Sequence, residues 1–193
     1  MTTLVRITVA LVLALLLTSC GFDINFGDFG SGESGNGVVV EETREITGEF
    51  TEVSASEGLE VFVTQGSDFD ISVEADENIM DLIGTDIKNG KLKIHCIENI
   101  GRATKKVYVT MPNISGLYAS SGSHLTTENK IQSDKLEVDA SSGAIINANV
   151  HATNMDIDAS SGANISLEGT AKEVYVDASS GANIKAKDLS TLV

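Results

Sequence analysis

Seven residues written three times in step limit what this chain can fold into. "VDASSGA" runs from 138 to 144, "IDASSGA" from 157 to 163, and "VDASSGA" again from 176 to 182. Its centre, "ASSG", begins at 119, 140, 159 and 178, steps of 21, 19 and 19 residues, and "ASEG" at 55–58 reads as an earlier, degenerate copy. A fixed period near 20 marks a stacked repeat in which each unit buries its apolar side against the next. Between 135 and 153, Leu136, Val138 and Ala140 share one parity and Glu137 and Asp139 the other, the alternation of a half-buried strand. A helical hairpin cannot be made from that pattern. The expectation is an all-β domain, a β-helix (β-solenoid) whose coils of 19–21 residues stack in parallel about 4.8 Å apart.

Stacking assigns the repeated letters to columns. Gly122, Gly143, Gly162 and Gly181 would turn one structural corner, where only glycine turns without steric cost. Ala140, Ala159 and Ala178 would keep the interior narrow beside it, and the serine pairs would form hydroxyl ladders. Asn164 and Asn183 fall in a further column with His124 and Ile145. Asp139, Asp158 and Asp177 form another, on the outer face. Neighbouring charges about 4.8 Å apart in water repel by roughly 1 kcal/mol, so the column needs serine and backbone hydrogen bonds, solvent screening, or a cation such as Ca²⁺, which takes clustered carboxylate oxygens. Against the cation, the column lacks the glycine-rich calcium nonapeptide of β-rolls.

The N-terminal half is less regular. "LEVFV" (59–63), "DISVEA" (70–75) and "KLKIHC" (91–96) alternate as strands, and Asn-Gly in "IKNGKL" (87–92) predicts one hairpin. "DENIMDLIG" (76–84) is the one helical candidate, at most two turns long, with Asp76 as its cap.

Residues 1–19 read as a lipoprotein signal peptide: Arg6, then the apolar "ITVALVLALLL" (7–17), too short to span a bilayer comfortably. "LTSC" (17–20) resembles the bacterial lipobox, in which the cysteine is acylated, with palmitate among its chains, and becomes the N-terminus. Cys20 is therefore the expected lipidation site and the membrane contact. More than one chain is needed for stable anchoring. Residues 20–42 include "GFDINFGDFGSGESGNG" (21–37), which reads as a flexible glycine-rich tether. The domain proper is expected over 43–193. With Cys20 acylated, Cys96 has no disulfide partner and reads as a small buried hydrophobe.

Charge and composition bear on partners. The net charge of −15 becomes −16 once Arg6 is removed with the signal peptide (−15 − 1), which disfavours nucleic acid and anionic headgroups. The remaining arginines, Arg44 and Arg102, lie outside the repeats, where a polysaccharide lyase would want its base. His124 and Asp139 could be drawn as a dyad, but a lone histidine in a turn column is more often a corner residue. Tyr108, Tyr118 and Tyr175 are too few to argue a carbohydrate platform.

Taken in order, the lipobox, "REITGEFTEVSASEGLEVFVTQG" (44–66), "ADENIMDLIGTDIKNGKLKI" (75–94), "VYVTMPNISGLYASSGS" (107–123) and the serial "DASSGA" corners resemble the auto-transporter adhesin head domains called GIN domains. These are common in envelope lipoproteins of the Bacteroidetes. The resemblance covers 43–193 and implies a right-handed parallel β-helix, an adhesion role and no catalytic residues. Adding one period to Met155 and Val174 lands on Val193, so the chain stops as the next coil would begin, which reads as truncation or as an edge meant for pairing. The expectation is an outer-membrane lipoprotein of the cell envelope, not an enzyme, binding a glycan or protein ligand. The alternatives are a scaffold that forms a homo-oligomer through the open solenoid end and, third, a polysaccharide lyase or hydrolase. Whether the domain faces the surface or the periplasm is not written in the residues after Cys20.

Overall fold

A computed structural model describes residues 32–191; Cys20, the signal peptide and the first part of the tether lie outside them. The all-β reading holds, with thirteen strands and one short 3₁₀ turn. The right-handed parallel β-helix with coils of 19–21 residues does not. The strands form one mixed antiparallel and parallel sheet, a half-barrel whose continuous path of eleven strands is β1-β4-β7-β3-β9-β11-β10-β8-β2-β6-β5, with β12 and β13 added beside β11. β1 (Val39–Thr43) and β4 (Asp70–Asp76) pair antiparallel, as do β4 and β7 (Lys105–Met111), and β5 (Ile83–Lys88) and β6 (Lys91–Cys96). The repeat begins only at 119, and short connections such as Asn89-Gly90, with φ of 54° and 76°, fold the earlier strands back on their neighbours.

Parallel pairing dominates elsewhere. β2 (Glu52–Ala55) joins β6 to β8 (Gly116–Ala119), and β3 (Glu60–Gln65) joins β7 to β9 (His124–Thr127). β10 (Ile131–Ala140), β11 (Ile145–Ala159) and β12 (Asn164–Ala178) run in register, Leu136 beside Met155 and Met155 beside Val174. β13 (Asn183–Thr191) pairs with β12 only over Asn164–Ala171. Accordingly Val174 and Val176 are 37% and 55% exposed, whereas Met155 and Ile157, their neighbours on β11, are 1% and 0%.

β11 is the joint of the half-barrel. Its first three residues, Ile145 to Asn147, pair with β9 and its stretch from Val150 to Ala159 with β10, so it belongs to both arms. The sequence shows how. Inward residues Ile146, Ala148, Val150 and Ala152 keep one parity, then Thr153 and Asn154 both face solvent, and Met155, Ile157 and Ala159 take the other parity. Two successive outward residues break the period-two alternation and bend the strand. Lys172 and Glu173 repeat the slip in β12. A single core cluster, from Phe50 to Ala171, fills the space between the arms.

The corners are turned by backbone. Gly122, Gly143, Gly162 and Gly181 have φ of 72°, 73°, 75° and 77°, each preceded by a serine near 50°. Backbone bonds stack them: Gly143 N–H donates to Ser161 O at 3.0 Å, and Gly162 N–H to Ser180 O at 3.1 Å. The expected hydroxyl ladders are thus replaced by main-chain bonds.

Two local expectations change. Residues 77–82 form the 3₁₀ turn, and Asp76 does not cap it. Instead the buried Asp76 carboxylate accepts from Gly37 N–H at 2.5 Å and Thr104 N–H at 2.6 Å. This draws in residues that the composition assigned to the tether: Glu33 N–H donates to Asn99 O at 3.0 Å, Gly35 N–H to Arg102 O at 2.9 Å, and β1 lies within 20–42 over most of its length. Glycine density predicts freedom only where no polar partner waits, and Asp76 and Asn78 are partners.

Candidate functional site

Each arm buries one side of its strands and presents the other to solvent, which makes two outer faces. The first runs across β7, β3, β9, β11 and β12. Its central row is Tyr108, Phe62, Thr126, Asn147 and Ser166, each registered on the next. Phe62 and Tyr108 alternate with the buried Val61, Val63, Val107 and Val109, so both rings point outward, and they stack at 5.1 Å between centroids with 17° between planes. The pair is held at its polar end: Lys106 Nζ donates to Glu74 Oε1 at 2.9 Å, and the Tyr108 hydroxyl donates to Glu74 Oε2 at 3.3 Å. The bond from Lys106 draws the Glu74 carboxyl below its ordinary range, and burial, then Glu74, pushes the Tyr108 hydroxyl up.

Beside this pair lies a groove of 390 Å³ lined by Thr126, Thr127, Asn147, Asn149, Ser166 and Glu168 among others. That volume suits a small ligand. Asn149 N–H donates to Thr127 Oγ1 at 2.9 Å, but its side-chain oxygen Oδ1 is buried without a partner. An unpaired buried acceptor is costly in the empty groove and becomes favourable when a donor arrives. The lining residue Asn147 is held by His124, its Nδ2 lying 2.9 Å from the His124 Nε2. A larger groove, 540 Å³, lined by Gln132, Asp134, Lys135 and His151 among others, has no unpaired buried acceptor among its lining residues.

The second face runs across β5, β6, β2, β8, β10, β11 and β12, and it is charged. The registers place Asp139, Asp158 and Asp177 side by side, as the repeat required, with Tyr118 next to Asp139. Burial above all, then the charges of Asp158 and Glu137, pushes the Asp139 carboxyl above its ordinary range, so repulsion from its column neighbour is a secondary cause. Among the described residues no group of three or more His, Cys, Asp or Glu side chains is placed to hold a metal ion. A flat column of single carboxylates does not wrap a cation that takes six to eight oxygens. The His124–Asp139 dyad is not assembled either, because the two residues belong to different arms.

The tyrosines divide. Tyr118 is covered by Lys91 Nζ, 3.5 Å from the ring centroid, and that lysine also pairs with Glu52 at 2.9 Å. Burial, then Glu52 and Glu137, pushes the Tyr118 hydroxyl far up. Tyr175 is 71% exposed on the charged face. Only Tyr108 joins a second ring. Phe62 was missed by sequence reasoning because its partner lies 46 residues away. The alternation of "LEVFV" puts it outward, and an outward phenylalanine was the available signal. Cys96 is half-buried, as a small hydrophobe would be, with burial pushing its thiol up.

Fold and site together define an all-β module with a polar groove beside an outward-facing aromatic pair. The match to known proteins agrees: residues 49–192 match the family described as "Putative auto-transporter adhesin, head GIN domain", and the chain belongs to that family. No curated protein matches. Among solved structures, a putative adhesin from Bacteroides fragilis superposes with a TM-score of 0.72 at 19% identity, over 82% of this chain and 75% of that one. A putative adhesin from Parabacteroides merdae gives 0.70 at 17%, over 81% and 75%. A putative lipid binding protein from Parabacteroides distasonis gives 0.64 at 18%, over 81% and 76%. At these identities the likeness is one of fold. The family's description as an adhesin head domain fits a cell-envelope or surface protein. No helix among the described residues is long and apolar enough to cross a membrane.

Proposed function

We propose that this protein is a non-catalytic adhesion module, carried at the cell envelope on a lipid at Cys20, that binds a neutral glycan on its first face. The observation that carries the reading is the stacked Phe62–Tyr108 pair beside a groove whose Asn149 Oδ1 is buried and unpaired. Sugar recognition asks for an apolar ring surface against C–H groups and fixed donors and acceptors for hydroxyls, and the row of Thr126, Asn147 and Ser166 supplies the latter without net charge. The lipid anchor rests on "LTSC" at 17–20. Its test is partition of the cell-expressed protein into detergent, which Cys20→Ala should abolish.

Ligand binding is tested on a glycan microarray with the full chain, followed by titration. Saturable binding to uncharged glycans, weakened about tenfold or more by Phe62→Ala and by Asn149→Ala, is the expected result. Absence of saturable binding, or binding that both variants retain, would overturn it. Proteinase K on intact cells then separates the adhesive role, which needs surface exposure, from a periplasmic one.

A further inference from the structure

The charged face is not uniformly acidic. Its two central rows, read strand by strand from β5 to β12, are Lys88, Lys91, Glu52, Gly116, Glu137, Asp156, Tyr175 and, beside them, Asp86, Lys93, Ser54, Tyr118, Asp139, Asp158, Asp177. Three lysines and one acid occupy β5 and β6. Beyond the two intervening strands, β2 and β8, the signs reverse, and β10 and β11 carry four acids in these rows. Lys88, Lys93, Glu137, Asp156 and Asp158 are exposed. Lys91 is already committed to Glu52 and the Tyr118 ring. A chain of net charge −15 has 13 Lys and Arg in all, and it places three lysines together at one end of one sheet face.

A face with opposite charges at its two ends is complementary to a copy of itself turned around. We infer that this face is the contact surface for a second copy of this chain, in a two-fold dimer whose axis lies in the interface, parallel to the strands, between β2 and β8. That axis sets each β6 over the partner's β10 and each β5 over the partner's β11. Lys91 and Lys93 then face Glu137 and Asp139, and Lys88 faces Asp156, twice over by symmetry. The other in-plane axis, across the strands, would set Lys91 on Lys93, Glu137 on Asp139 and Asp156 on Asp158, with only Lys88 on Asp86 in opposition, so the charge pattern selects the first. Asp86 opposite Asp158 is the one like-charge pair in these rows, and Lys93 stands beside Asp86 on its own chain.

Six shared strands at about 4.8 Å spacing and three outward residues per strand give a patch of roughly 30 Å by 15 Å, or about 900 Å² over both copies. That is the size of a weak, transient interface, dominated by charge pairs, which tune specificity more than affinity. In about 150 mM salt the Debye length is near 8 Å. The overall negative charge is then screened, and the facing pairs are not.

The test is sedimentation velocity of the full chain carrying Cys20→Ser, in about 150 mM salt at concentrations up to roughly 500 µM. The parent should dimerise reversibly in the upper part of that range. K88E/K93E and D139K/D156K should each be monomeric, weakened at least tenfold, because each sets like charges opposite one another at the two altered pairs, Lys88 with Asp156 and Lys93 with Asp139. Mixing the two should restore a heterodimer, which also shows that both variants are folded. A parent that stays monomeric throughout, variants that associate like the parent, or a mixture that does not pair would each overturn the inference.

Discussion

The two outer faces grow from the same strands and differ in almost everything but their inner side. β11 and β12 give Asn147, Asn149 and Ser166 to one face and Asp156, Asp158 and Asp177 to the other, while the inward residues of β11, Ile146, Ala148, Val150, Ala152, Met155 and Ile157, are buried alike. The inner side is fixed by packing, since each arm must close on one core. Outward positions of a sheet are under no such demand. A polar groove beside an aromatic pair on one arm and a charge-segregated surface on the other are therefore read as function, the first for a ligand and the second for another copy.

The largest effect should come where both faces share a foundation. Gly169 in β12 has φ of 115°, and a Cβ there would overlap the Val150 carbonyl oxygen. Gly169→Ala should cost about 3 kcal/mol or more in chemical denaturation, from backbone strain plus displacement of β11, and should impair both binding readouts. By contrast, a Cβ on Gly162 meets nothing within 4 Å, and only its φ of 75° resists. Gly162→Ala should cost about 1 kcal/mol. Equal costs would mean that the corners, and not the β11–β12 approach, control the stack.

Next come variants that should separate the faces. Phe62→Ala should reduce glycan binding about tenfold or more and leave self-association unchanged; K88E/K93E should do the reverse. The smallest effect is in acid, where the faces respond with opposite sign. Glu74's folded pKa is lowered by Lys106, so its stabilisation is present at neutral pH and is lost as pH falls through its lowered folded value. Asp139's folded pKa is raised by burial and Asp158, so it destabilises the fold at neutral pH, and protonation relieves that as pH falls through the folded value. Glu74→Gln should lower the melting temperature at pH 7, and Asp139→Asn should raise it, each by an amount corresponding to about 0.5 kcal/mol or less at such partly exposed positions. Shifts of the same sign would remove the contrast.

Much of the repeat half was legible because "DASSGA" repeats at a fixed step: the parallel register of β10, β11 and β12, the aspartate column and the left-handed corners are all spelled in it. The global architecture was not. Antiparallel pairing of β1, β4 and β5 depends on which strands meet through space, and alternation is blind to strand direction. Residues 33–37 looked free by composition, and their partners, Asp76, Asn99 and Arg102, lie about 40 or more residues further along. The groove was illegible for the same reason. Phe62, Tyr108 and Asn149 come from three separate strands, and nothing local marks Asn149 Oδ1 as the acceptor left unpaired.

The central claim is that the neutral face holds the ligand. Its most direct test is a titration of one array-selected glycan into the parent chain, Phe62→Ala and K88E/K93E, side by side. The account predicts that Phe62→Ala loses affinity about tenfold or more while K88E/K93E binds as the parent does. Full affinity in Phe62→Ala with loss in K88E/K93E would move the ligand to the charged face and contradict it.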